Sequence, residues 1–246
     1  ASMRLAEELD TTWQIHLSET EEERQNAIKE FGCSPVEYLA KLGCLNERTI
    51  AVHCVALSDR DIGLLAESGA SVVHCPVSNM RLGCGASPVV KLLKGGINVA
   101  LGTDGAASAC SLSMFEQMRT AGLIAKGFSQ DPTELTVNQI IRMATINGAN
   151  ALKLHCDVGS LAVGKLADLA VIDMSQLVTM PVLDVLSNVI YAVEAQCVHQ
   201  VWVSGSLVAN IQQEKLLRPD RGKLLTKSNI MSWQNRVCEI LRDDFN

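Results

Sequence analysis

Nowhere in the chain does an uncharged apolar run approach the 18 or more residues that a membrane-crossing helix requires. The opening ASMRLAEELD reads as an amphipathic helix rather than a signal peptide. CxxC pairs are missing as well. The nine cysteines, at 33, 44, 54, 75, 84, 110, 156, 197 and 238, are an odd set without the spacing of a zinc ribbon or a disulfide framework. They read as small apolar residues of a chain kept in a reducing compartment. A net charge of −6 and the lack of a basic stripe exclude a nucleic-acid surface. There is no GxSxG elbow, no P-loop and no glycine-rich dinucleotide turn, which removes the serine-nucleophile and nucleotide-cradling classes. Nor is there an internal repeat or a low-complexity stretch. What remains is a soluble protein, expected in the cytoplasm, with no membrane or nucleic-acid partner.

The residues that are present suit one or two globular domains: 48% are hydrophobic and 20% charged over 246 positions. Four short apolar segments in the first 110 residues each end on a side chain able to bind metal or move protons. These are His16 in QIHLSE, His53 in AVHCVALSD, His74 in VVHCPVSN and Asp104 in VALGTDGAAS. The intervals between them each read as a helix followed by a new strand, as βα units of roughly 30 residues do. Parallel strands of a (β/α)₈ barrel converge at their C-terminal ends, so side chains far apart in sequence meet around one ligand.

Punctuation supports the rhythm. Thr20 with Glu23, Ser58 with Asp61, Ser113 with Glu116 and Thr136 with Gln139 have capping-box spacing, and Gly43, Gly69 and Gly95–Gly96 close the helices between them. Pro76 and Asn79 after His74 suggest a shaped turn, and NQIIRMATINGANALKL reads as one helix. From DVGSLAVGKLADLAVIDM onward, short strands (ADLAVID, HQVWVSG, SLVAN) suggest a small β domain. SNIMSWQNRVCEIL then reads as an amphipathic helix with Ile230, Val237 and Leu241 on one side. The expected organisation is α/β: part of a barrel over 1–155, β-sandwich strands over 156–212 and a helical tail over 213–246.

Each strand-end residue admits two readings. His16, with Glu19 three residues on, can hold a divalent metal and set an acid beside it, or be a satisfied strand histidine with a surface glutamate. Asp104 follows an apolar strand between two glycines, as a metal ligand or a helix cap would. His53 is the candidate imidazole for polarising a metal-bound water or a developing oxyanion, or else a core histidine bonded to backbone. His74 is evenly poised, and His155 and His199 are expected to be structural.

Together the strings IHLSET, AVHCVALSD, VVHCPVSNMRL, NVALGTDGAAS with MFEQMR, IIRMATINGANAL and GSLAVGKLADLAVID resemble the C-terminal part of an amidohydrolase-superfamily enzyme. The resemblance is greatest to the methylthioadenosine/S-adenosylhomocysteine deaminases and spans nearly the whole chain. It implies a divalent metal, of zinc type, held by His16 and Asp104, with no organic cofactor. It further implies Glu19 as a substrate-contacting acid/base, His53 as a second catalytic imidazole, and Asn79 and Asp104 near the substrate. The implied reaction is hydrolytic deamination of an adenine nucleoside by metal-activated water. In it Asp104 takes the proton, Glu19 protonates the ring and His53 stabilises the tetrahedral intermediate.

The chain departs from that pattern in one consequential way: it has no HxH motif, from which such enzymes take two further ligands. A catalytic zinc takes three protein ligands plus water, so the pair His16 and Asp104 is expected to bind metal weakly. The isolated chain is then expected to hold no stoichiometric metal and to turn nothing over. Four strands cannot close a barrel, which points to a C-terminal fragment partnered by the missing N-terminal half. A smaller departure is Cys84 in RLGCGASPV, where the resemblance implies serine. Two alternatives are a sister hydrolase acting on guanine, cytosine or a chlorinated triazine, and a non-catalytic module that covers its edges with another chain or a second copy.

Overall fold

A computed structural model of the chain describes residues 1–210 together with Lys215 and Leu216. Two compact units are present: Ala1–Ser160 with Leu183–Val193, and Leu161–Val182 with the chain from Glu194 onward.

In the first unit, α1 (Ser2–Glu8) leads into β1 (Trp13–Leu17), followed by α2 (Glu21–Phe31) and α3 (Pro35–Lys41). Next come β2 (Thr49–His53), α4 (Asp59–Ser68), β3 (Ser71–His74), α5 (Pro76–Arg81), α6 (Val89–Lys94) and β4 (Val99–Leu101). Helices α7 (Ala106–Ala109), α8 (Met114–Ser129), α9 (Val137–Ala144) and α10 (Ile146–Ala151) follow, and α11 (Val185–Tyr191) returns to pack on α8 and α9. The four strands are parallel in the order β1-β2-β3-β4, with Leu17 beside His53 and His74 beside Leu101. All four C-terminal ends therefore lie along one margin of an α/β sheet.

The sequence dictates this layering. β2, TIAVH, is buried at all five positions, as an inner parallel strand covered on both faces must be. β1 has a neighbour on one side only among the described residues, and its first four positions alternate between half-buried and exposed. Val72, Val99, Leu65, Leu92, Ile140 and Met143 close the core between sheet and helices. Fully burying one such side chain contributes about 1.5–3 kcal/mol.

Helix starts follow their caps. Ser58 with Asp61 and Thr136 with Gln139 form reciprocal boxes, and so do Ser34 and Glu37 at α3. Gly69 ends α4 at φ 73°, a conformation that costs other residues a Cβ clash. Three expectations need correction. Thr20 caps α2, but the Glu23 carboxylate does not return to it; it accepts from the backbone N–H groups of Ser18 and Glu19 instead (3.0 and 2.7 Å). The segment after His74 is a helix rather than a turn, because Pro76 sits at the first helical position, where its missing N–H costs nothing. The long helix after Gln139 breaks at Thr145 (φ −130°, ψ −97°), whose hydroxyl donates to the Ile141 carbonyl (2.7 Å) while the Asn147 amide donates to Val99 O (2.8 Å).

The second unit is an antiparallel sheet of β5 (Leu169–Ile172), β6 (Val198–Val203), β7 (Ser206–Asn210) and β8 (Lys215–Leu216), ordered as in sequence. Ser204 and Gly205 join β6 to β7 with both φ positive, the conformation that suits a two-residue hairpin. The helix expected in SNIMSWQNRVCEIL lies outside the described residues.

Candidate metal and acid-base site

Strand β2 ends on a bend that aims His53. His53 (φ 73°) and Cys54 (φ 48°) both occupy the left-handed region, which costs a non-glycine residue of the order of 1–2 kcal/mol. Backbone bonds hold the bend: Cys54 N–H donates to Leu17 O (3.1 Å), and Val55 and Ala56 N–H both donate to Ser18 O (2.9 Å). The ring of His53 is fully buried, and its Nδ1 lies 2.8 Å from Asn79 Oδ1. An amide oxygen only accepts, so Nδ1 carries the proton and Nε2 presents its lone pair. That Nε2 lies 3.2 Å from His16 Nδ1.

Glu19 occupies the loop after β1, where Glu23 clasps the backbone of Ser18 and Glu19. Its Oε2 is 3.8 Å from both His16 Nδ1 and His53 Nε2. Its Oε1 accepts from the Cys84 thiol (3.5 Å). The departure at Cys84 thus falls on the acid rather than at a remote point of the pocket wall.

Asp104 sits at φ 59° after β4, with both oxygens engaged: Oδ2 accepts from the Ser78 hydroxyl and Oδ1 from Gly105 N–H, each at 2.7 Å. Partial burial works against its charge. The two hydrogen bonds and the imidazoles of His53 and His16 outweigh that and hold the carboxyl below its ordinary range. It is therefore ionised at neutral pH.

Ser78 and Asn79, neighbours on α5 and both fully buried, thus hold Asp104 and His53, which arrive from different strands. Helix α5 is itself fastened at its start, where Val77 N–H donates to the buried Gln117 side chain on α8 (3.2 Å).

Of the residues expected from sequence, His16, Glu19 and His53 come together, one donor atom of each lying within 4.8 Å of the others. Asp104 is outside that set, though close enough to feel both imidazoles. Asn79 lies behind His53. His74 is buried and stays neutral, its pKa pushed down to about 3 by burial and by the His53 imidazole. It lines an apolar cavity of about 310 Å³ with Val90, Ile124 and Phe128. Neither His155 nor His199 joins the cluster. Sequence reasoning missed Ser78, Glu23 and Gln117; a polar pair buried on a proline-started helix was the available signal for the first.

Two imidazole nitrogens and carboxylate oxygens are the donor chemistry that zinc and its neighbours accept. His53 also shows the support that ligating histidines need, a ring N–H fixed on an acceptor behind it. The residues present therefore fit a divalent metal.

The sequence pattern described as the Amidohydrolase family matches residues 1–208. A 5-methylthioadenosine/S-adenosylhomocysteine deaminase from Acetivibrio thermocellus is 41% identical over 226 residues, covering 92% of this chain and 52% of the relative. One of the same name from Teredinibacter turnerae is 46% identical over 232 residues, covering 94% and 52%. Among solved structures, an adenosine deaminase from Xanthomonas campestris with bound zinc superposes with a TM-score of 0.87 at 39% identity, covering 96% of this chain and 53% of that one. The chain spans about half the length of these relatives.

Proposed function

The chain belongs to the amidohydrolase family, and we propose that it is the C-terminal portion of an enzyme that hydrolytically deaminates an adenine nucleoside: S-adenosylhomocysteine, 5′-methylthioadenosine or adenosine. The observation that carries this reading is the gathering of His16, Glu19 and His53, with an ionised Asp104 beside them, at one margin of a parallel sheet. The amidohydrolase pattern matches the stretch containing all four. In this reading the four strands are the second half of a (β/α)₈ barrel.

A divalent metal of zinc type, when bound, supplies a Lewis acid that acidifies water near neutrality. His16 and Asp104 would hold it together with ligands from the missing half. The rest belongs to the side chains described here. Asp104, kept ionised by Ser78 and Gly105, has the charge to accept a proton from water attacking the carbon that bears the amino group. Glu19, half-buried and hydrogen-bonded through one oxygen, has the other free to pass a proton to the ring nitrogen. His53, with its tautomer set by Asn79, positions the attacking oxygen through Nε2 and, once protonated, steadies charge that develops on it. Asp104 then gives its proton to the departing amino group, so that ammonia leaves, and the proton of the added hydroxyl returns to Glu19 as the inosine-type product forms.

The test is to read the coding sequence upstream of Ala1 and express the joined protein. An HxH motif in the added half, with ammonia release from one of the three nucleosides, is the expected result. Absence of the motif, or no turnover of any of the three, would overturn the reading.

A further inference from the structure

We infer that this chain carries a divalent-cation site of its own, formed by Nδ1 of His16, Nε2 of His53 and Oε2 of Glu19, which needs no ligand from a second half. The three atoms make a triangle with sides of 3.2, 3.8 and 3.8 Å. The circle through three such points has a radius of about 2.1 Å, within the 2.0–2.2 Å over which zinc binds imidazole nitrogen and carboxylate oxygen. A cation at its centre, or slightly above the plane toward a water, is at bonding distance from all three.

Three further observations point the same way. Each of two donors has its other polar atom fixed from behind: His53 Nδ1–H on Asn79 Oδ1, and Glu19 Oε1 under the Cys84 thiol. That leaves Nε2 and Oε2 as the atoms turned toward one another, the support that ligands receive when they are oriented for a metal. The rings meet edge to face at 77° with centroids 4.5 Å apart. Their facing nitrogens are at hydrogen-bond distance, so a cation held between them would replace the one proton they share. Access is open too, since the His16 side chain is 57% exposed, while the His53 ring is fully enclosed and cannot rotate away.

Asp104 stands outside this set by position: the donor atoms lying within 4.8 Å of one another are those of His16, Glu19 and His53. The site therefore differs from the pair, His16 and Asp104, on which the isolated chain was expected to bind metal weakly. Ligation at Glu19 would take its free oxygen out of proton transfer, so the chain alone binds metal without deaminating anything. Ligands arriving from a second half would release Glu19 and His53 for the work proposed above.

The experiment is performed on the 246-residue chain, stripped with chelator and titrated with Zn²⁺ and Co²⁺. Binding is read by elemental analysis after desalting, by calorimetry and by the visible absorption of bound Co²⁺. One cation per chain is expected, with the intense visible bands of low-coordinate cobalt. E19Q and H16Q should each weaken binding at least about tenfold, the lower end of what even supporting partners of a metal site contribute. D104N should leave it within about threefold, the scale of a screened neighbouring charge. His16 is common to both candidate sites, so H16Q reports only that the cation lies here; E19D, which keeps the charge but withdraws the oxygen by one methylene, decides between them should E19Q fold poorly. Absence of stoichiometric metal overturns the inference. So does binding abolished by D104N and indifferent to E19Q; that outcome moves the cation to the pair named in the deaminase proposal and leaves that proposal standing.

Discussion

His53 and His74 end neighbouring strands, yet only one faces the cluster, and the difference is measurable. His74 has a pKa of about 3 against about 6.5 unfolded, so the unfolded chain alone gains a proton between those values. Its contribution to stability is therefore complete above pH 6.5 and declines as pH falls toward 3, by an amount of the order of several kcal/mol. Denaturant midpoints measured from pH 7 to pH 4 should fall more gently for His74→Leu than for the parent. Asn79→Leu removes the acceptor of a buried N–H and should cost about 1–3 kcal/mol. In ¹⁵N spectra of the imidazoles it should also turn the single Nδ1–H tautomer of His53 into a mixture; an unchanged spectrum would contradict the role given to Asn79. At this scale the gathering of His16, Glu19 and His53 was legible because donor chemistry recurred at or just after strand ends, and Asp104, read the same way, lies outside that group. Ser78 and Glu23 escaped because what they hold lies far off in sequence, or one and two residues before the expected cap.

Among the elements, α3 and α4 share one carboxylate. Asp61 is fully buried, accepts from the backbone N–H and hydroxyl of Ser58 (2.8 and 2.7 Å), and takes a further bond from the Ser34 hydroxyl. Asp61→Ala removes the returning half of the box at α4 and leaves the Ser58 N–H, the Ser58 hydroxyl and the Ser34 hydroxyl at the start of α3 without their acceptor. A loss of about 2–4 kcal/mol in chemical denaturation is expected. Gly122 in α8 sets opposing effects against each other: alanine gains about 1 kcal/mol of helix propensity, but its Cβ would lie 2.8 Å from the Tyr191 hydroxyl and 2.9 Å from Ile140 Cδ1. The clash involves α9 and α11 and should win, giving a net loss of about 1–2 kcal/mol. Capping spacing made most helix starts readable. The break at Thr145 was not, because it depends on Asn147 reaching the backbone of β4, a tertiary contact that no local pattern carries.

For the molecule as a whole, the parallel order of the strands followed from the spacing of four apolar segments, and the described residues form a four-stranded sheet. The outer edge of β1 has no strand partner among the described residues. Such an edge is a template for further pairing, so the chain alone should self-associate, its light-scattering mass rising with concentration. A constant monomer mass over a wide concentration range would count against this. Ser78 and Asn79 carry a last consequence. Because adjacent residues of one short helix hold both Asp104 and His53, a displacement of that helix would release the two side chains together. One substitution that unseats α5 should therefore free an imidazole and a carboxylate borne by two different strands.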